Sequence, residues 1–115
     1  TFLLPRLVGL QKATALMMTG EKVAAKDAEQ MNMIYKAVAD EDFSVAVAKL
    51  AGQMAQMPTK GLGLTKRALN LSLYNSLENQ LKIEELLQTE AGQTHDFKEG
   101  VTAFLEKRNP EFKGH

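Results

Sequence analysis

DFKEGVTAFLEKRNPEF, residues 96–112, is the stretch that decides how this chain folds. Phe97, Val101, Phe104 and Leu105 recur at helical spacing, so one side of a helix is apolar. The last turn carries Glu106, Lys107 and Arg108, and Asn109-Pro110 cuts the helix off. A frayed solubilising tail has no use for that apolar side. The stretch is built to dock on one flank and to hold basic groups at its end.

The same pattern extends backwards through the sequence. Thr94 to Asp96 opens this helix, and Ser76 opens the one before it, which runs to Gly92. Pro58-Thr59 opens another, with Leu62, Leu69 and Leu73 inward and Lys66 and Arg67 outward. Ser44 caps a helix carrying Val47, Leu50, Ala51, Met54 and Met57. Ala25 to Met31 is a short helix, and Leu4, Leu7, Val8, Ala15 and Met18 lie on a first one ending at Thr19-Gly20. Met33 to Val38, rich in branched and aromatic residues, is the one predicted strand. The expected fold class is therefore mainly α with one short strand, and no linker or repeat divides the chain.

Composition bounds the function. The 115 residues suit one small domain with a limited core. Hydrophobic residues make up 44%, which argues against wholesale disorder. Fourteen Lys and Arg balance fourteen Asp and Glu, so the basic excess of a nucleic-acid binder is missing. There is no cysteine, which removes disulfide and thiol chemistry and fits a reducing compartment. No apolar run is long enough to cross a bilayer, and Pro5-Arg6 follows Phe2-Leu3-Leu4 too soon for a signal peptide. No nucleic-acid or membrane partner is expected, and the expected location is cytoplasmic. The abrupt apolar start at Thr1 reads as a piece of something longer.

Several motifs invite chemistry and decline it. Gly61-Leu62-Gly63-Leu64-Thr65-Lys66 lacks the Gly-Lys-Ser/Thr ending of a phosphate loop, and no strand leads into it. His95 and His115 have no second ligand at metal spacing. Glu84 and Glu85 point about 100° apart on a helix and do not share a site. The six methionines read as core filling. Gln80, Glu84 and Gln88 form a polar row between two apolar sides of the Ser76 to Gly92 helix. That row is either a solvated edge or a face turned to a neighbouring subunit or ligand channel. No catalytic set and no metal site can be assembled from these residues.

TFLLPRLVGLQKATALMMTGEKVAAKDAEQMNMIYKAV, residues 1–38, resembles the part of the crotonase (enoyl-CoA hydratase/isomerase) family that follows its paired glycines. FKEGVTAFLEKRNPEF is similar to the family's closing signature, in which Glu-Gly leads a helix ending in Phe-x-x-Lys-Arg. KIEELLQTEAGQTHDFKEGV looks closest to the branch handling ring-derived acyl-CoA in phenylacetate breakdown. Ala24 stands where the family often has a capping Ser or Thr, a loss of about 1 kcal/mol. Asn32 stands where Gly is common, and Asn is the next-best residue for a left-handed position.

The resemblance implies the C-terminal segment of the crotonase fold (ClpP/crotonase-like, a ββα superhelix) with its helical trimerisation region. Residues 1–40 would end the spiral core. Residues 41–115 would form the oligomerisation and CoA-covering region. It implies an acyl-CoA hydratase or isomerase with an oxyanion-stabilised enolate, using CoA thioester as substrate and no further cofactor. The oxyanion loops and proton-transfer acids would lie upstream of Thr1, leaving no catalytic residue here. The assembly implied is a homotrimer or a dimer of trimers. The family's last helix ends near the adenosine phosphate, which makes Lys107, supported by Arg108, the implied CoA-binding pair. Gln88 falls near a position that is aromatic in some members, so adenine stacking is not carried over. The rival reading is a non-enzymatic helical oligomerisation or interaction module.

Overall fold

A computed structural model describes residues 1–115 as seven helices and no strand. They fall into two units, Thr1–Ala46 and Val47–His115, with the division inside the fourth helix.

In the first unit, α1 (Leu4–Val8) and α2 (Leu10–Thr19) replace the single helix expected there. The break is Gly9, at φ 80° and ψ 157°, a conformation that residues with a Cβ rarely adopt. Gly20 closes α2 in the left-handed region, its N–H donating to the Leu16 carbonyl. α3 (Ala25–Gln30) starts at Ala24 with no side-chain cap, as an alanine there dictates. It ends where Asn32 turns left-handed at φ 61°, and Met33 N–H reaches back to the Ala28 carbonyl at 2.8 Å. The Asn-for-Gly substitution thus keeps the turn the position requires.

The strand predicted over Met33 to Val38 is not formed. Residues 31–35 are turn and bend, and the amide of Ala37 donates to the Glu29 carboxylate at 3.0 Å instead of to a neighbouring strand. A strand exists only as part of a ladder, and no other extended segment is available to pair with this one. α4 (Asp40–Ala55) begins four residues before the expected cap at Ser44. Asp40, Glu41 and Asp42 crowd its first turn, where their negative charge suits the exposed N–H groups of a helix start.

In the second unit, α5 (Thr59–Ser72), α6 (Leu77–Gly92) and α7 (His95–Glu106) start where expected, but α7 stops at Glu106, so Lys107 and Arg108 lie beyond the helix whose last turn they were expected to form. Ser76 and Thr94 cap α6 and α7, accepting from the amides of Asn79 and Phe97. α5 and α6 run antiparallel: Lys60 pairs with Glu90 at one end, and the Gln80 amide donates to the Ala68 carbonyl at the other. Gln80 is buried, and it also accepts from Asn75 and donates to Glu84. Of that polar row, Glu84 and Gln88 form the solvated edge, while Gln80 meets neither reading and staples the hairpin within the chain. Gln80→Ala should cost about 1–3 kcal/mol of unfolding free energy, because it removes three hydrogen bonds and takes a partner from the half-buried Ala68 carbonyl and Asn75 amide. Urea denaturation of the two forms checks this; equal midpoints would contradict it.

The core is small. Ala13, Ala28, Leu64, Leu87 and Ala103 are its buried apolar residues, and no large side chain is fully enclosed. Leu69 and Leu73, expected inward, are exposed, and so are Met17, Met18, Met54 and Met57. Met31 and Met33 are half-buried, so core filling describes at most two of the six methionines. Two separate compact domains of these lengths would together expose about 7,500 Å². The chain exposes 9395 Å². Apolar residues that periodicity assigns to a core, Leu69 and Leu73 among them, stay uncovered within this chain.

Candidate functional site

The closing helix supplies the site. α7 ends in a Schellman turn: Lys107 adopts φ 55°, its N–H donates to the Phe104 carbonyl, and the Arg108 N–H reaches the Ala103 carbonyl at 3.0 Å. A lysine in this left-handed position is uncommon, since its Cβ crowds the backbone there. The turn throws Lys107 and Arg108 into different roles, although they are neighbours in sequence.

Arg108 is fully engaged. Its guanidinium grips Glu99 through two parallel hydrogen bonds of 2.6 and 2.9 Å, and its Nε donates to Glu106 at 2.7 Å. Glu99 also accepts the Glu111 amide at 2.8 Å. Arg108 and the Glu111 amide hold the Glu99 carboxyl at about 2 against the opposing effect of burial. The two carboxylates in turn push the Arg108 guanidinium still further above its ordinary value. Lys107 is exposed and takes part in none of the chain's ion pairs. Of the pair implied by resemblance, one cation is neutralised in place and the other is available.

Asp96 and the tail complete the arrangement. Asp96, 2% exposed, accepts the amides of Lys113 and Gly114, both at 2.7 Å, and its own amide donates to the His115 carbonyl. Burial works to raise its carboxyl, but those two amides and His95 outweigh it and hold the value below the ordinary one. Gly114 lies at φ 81°, and a Cβ there would stand 2.6 Å from Thr59 Oγ1, so the position admits no side chain without displacement. Phe112 lies over Gly100, in ordinary contact with where a Cβ would stand. His95 and Asp96 look like an acid–base pair, yet both Asp96 oxygens are taken up by the tail. No group of three or more potential ligands gathers for a metal ion.

The pH dependence has a definite sign. A carboxylate whose folded value lies below its unfolded one stabilises the fold above the ordinary range and loses that contribution as pH falls. For Glu99 the window runs from the ordinary 4.5 down to about 2. Hydrogen exchange at the Glu111 amide, which Glu99 accepts, should therefore accelerate, after correction for intrinsic rates, as pH drops through that window. Protection unchanged to pH 2 would contradict the hold of Glu99 on that amide.

Two hollows flank these features. One, about 480 Å³, lies between α5 and α6 and is lined by Leu64, Ala68, Leu87, Gln80, Glu84 and Gln88 among others. The other, about 440 Å³, lies against the apolar side of α7. Phe97, Val101, Phe104 and Leu105 border it and remain exposed.

Sequence reasoning missed Glu99 and Asp96. Glu99 and Arg108 are nine positions apart, outside any helical spacing that would pair them. The turn at Lys107 and the doubling back past Asn109-Pro110 bring them together.

Comparison with known proteins agrees with this architecture. Residues 1–115 match the enoyl-CoA hydratase/isomerase family throughout. The chain is 42% identical over 114 residues to the 1,2-epoxyphenylacetyl-CoA isomerase of Escherichia coli K12, covering 99% of this chain and 44% of that protein. Crystal structures of the enoyl-CoA hydratases of Geobacillus kaustophilus and Bacillus anthracis superpose with TM-scores of 0.94 and 0.91, each at 28% identity. Both cover 97% of this chain, and 42% and 43% of theirs. The chain belongs to the enoyl-CoA hydratase/isomerase family, and its helices are those of the C-terminal part of the crotonase fold. It spans less than half the length of the relatives it matches.

Proposed function

We propose that the chain is the C-terminal part of an acyl-CoA hydratase or isomerase acting on enoyl-CoA or ring-derived acyl-CoA thioesters. Its own share would be oligomerisation, as a trimer or dimer of trimers, and contact with CoA. The observation that supports this most is the uncovered apolar surface. Leu77, Leu81 and Leu86 on α6, with Phe97, Val101, Phe104 and Leu105 on α7, are all exposed. Exposed apolar area of this extent marks surfaces that are covered by protein in the working assembly.

The chemistry proposed for the whole enzyme follows from the thioester. Two backbone N–H groups hold the thioester carbonyl as an enolate forms, and carboxylates move protons at the neighbouring carbons. Neither set is assigned to residues 1–115. Lys107 provides the contact with the CoA ribose phosphate, as a charge-assisted pair at the rim of the site. Arg108, doubly paired with Glu99 and Glu106, shapes the turn instead of meeting phosphate. No helix is long and apolar enough to cross a membrane. A cytoplasmic location is part of the same proposal.

The test is turnover by the full-length protein. Offered an enoyl-CoA thioester and a ring-derived acyl-CoA, it should hydrate or isomerise at least one of them. Both recovered unchanged, from a protein shown to be folded, would overturn the proposal.

A further inference from the structure

Glu99, Arg108 and the Glu111 amide form a clasp at the end of α7. Lys107 is placed by a left-handed turn that a lysine does not favour on its own, so something must hold that turn. Its immediate C-terminal neighbour, Arg108, is held by the Glu99 carboxylate through two hydrogen bonds. The same carboxylate takes the Glu111 amide, so both sides of Asn109-Pro110 are fixed to one point on α7. Pairing with Glu99 and Glu106 also neutralises the guanidinium, leaving Lys107 as the unpaired cation of the turn.

We propose that Glu99 is a positioning residue for CoA recognition: by clasping Arg108 and the Glu111 amide, it fixes the turn that presents the Lys107 ammonium to the ribose phosphate. The inference rests on the phosphate role given to Lys107 above. Glu99 itself touches no substrate. Its effect passes through the orientation of one cation, and a misplaced cation loses much of a directional contact with phosphate. A carboxylate that only stabilised the fold would affect CoA with and without its 3′-phosphate alike.

The experiment compares Glu99→Ala, Glu99→Gln and Lys107→Ala in the full-length protein. Dissociation constants for CoA and for 3′-dephospho-CoA give each variant's preference for the phosphate, and exchange at the Glu111 amide reports whether the clasp has opened. Glu99→Ala should open the clasp and lower the preference by about three- to tenfold. Binding of 3′-dephospho-CoA should stay within about twofold. Glu99→Gln keeps an acceptor for the Glu111 amide but loses the charge that grips Arg108. It should show a smaller loss in the same direction, and it serves in place of the alanine variant if that one does not fold. Lys107→Ala separates the two ideas. If Lys107→Ala abolishes the preference while the opened Glu99 variants keep it, the positioning role is overturned and the phosphate contact stands. If Lys107→Ala leaves the preference intact, both fall.

Discussion

The 115-residue chain alone should show no hydratase or isomerase turnover on enoyl-CoA thioesters. Removing a single oxyanion donor costs about 10²- to 10³-fold in rate, and proton transfer by a positioned side chain contributes about 10²- to 10⁴-fold more. The proposed mechanism draws both from outside these residues. What the chain does contain points the same way. Asp96 spends both oxygens on tail amides, and Glu99 is committed to Arg108. Neither is free to move protons. Turnover by a rigorously purified sample, free of host enzyme, would contradict the division of labour.

Replacing Lys107 should produce the next largest effect. In the full-length protein, Lys107→Ala should weaken CoA thioesters by about 1–3 kcal/mol, roughly 5- to 150-fold, and leave turnover of bound substrate nearly intact. The loss should shrink at high salt, because an exposed ion pair is screened. It should be nearly absent with 3′-dephospho-CoA. Lys107→Gly sharpens the result. Glycine accepts φ 55° without a Cβ clash, so this variant should gain up to about 1 kcal/mol of stability while losing the same affinity. A variant that binds worse while melting higher cannot be explained by general damage. Equal weakening of CoA and 3′-dephospho-CoA would return Lys107 to a helix-ending, solvent-facing role.

Much of the fold was legible because helix boundaries are written in local chemistry. Ser76, Thr94 and Pro58 start helices by supplying a side-chain acceptor or a fixed φ, and Gly20 stops one by turning left-handed. The misses arose where a neighbour outside the window decides. Met33 to Val38 has the composition of a strand but finds no strand to pair with. Leu69 and Leu73 have the right spacing for a core that does not close over them. The Phe-x-x-Lys-Arg ending locates Lys107 and Arg108 side by side at the end of the last helix. That Arg108 is ion-paired while Lys107 is not could not be read there, because it depends on a chain reversal that places Glu99 opposite Arg108. Gln80 could be recognised as part of a polar row, yet its burial depends on the facing carbonyl of Ala68.

The central claim is that the last three helices carry apolar faces that copies of this protein cover. Sedimentation equilibrium of the chain over a wide concentration range tests it most directly. The account predicts a trimer, or a multiple of it, whose dissociation exposes Leu77, Leu81, Phe104 and Leu105. A folded chain that remains a monomer at the highest concentration reached would contradict it.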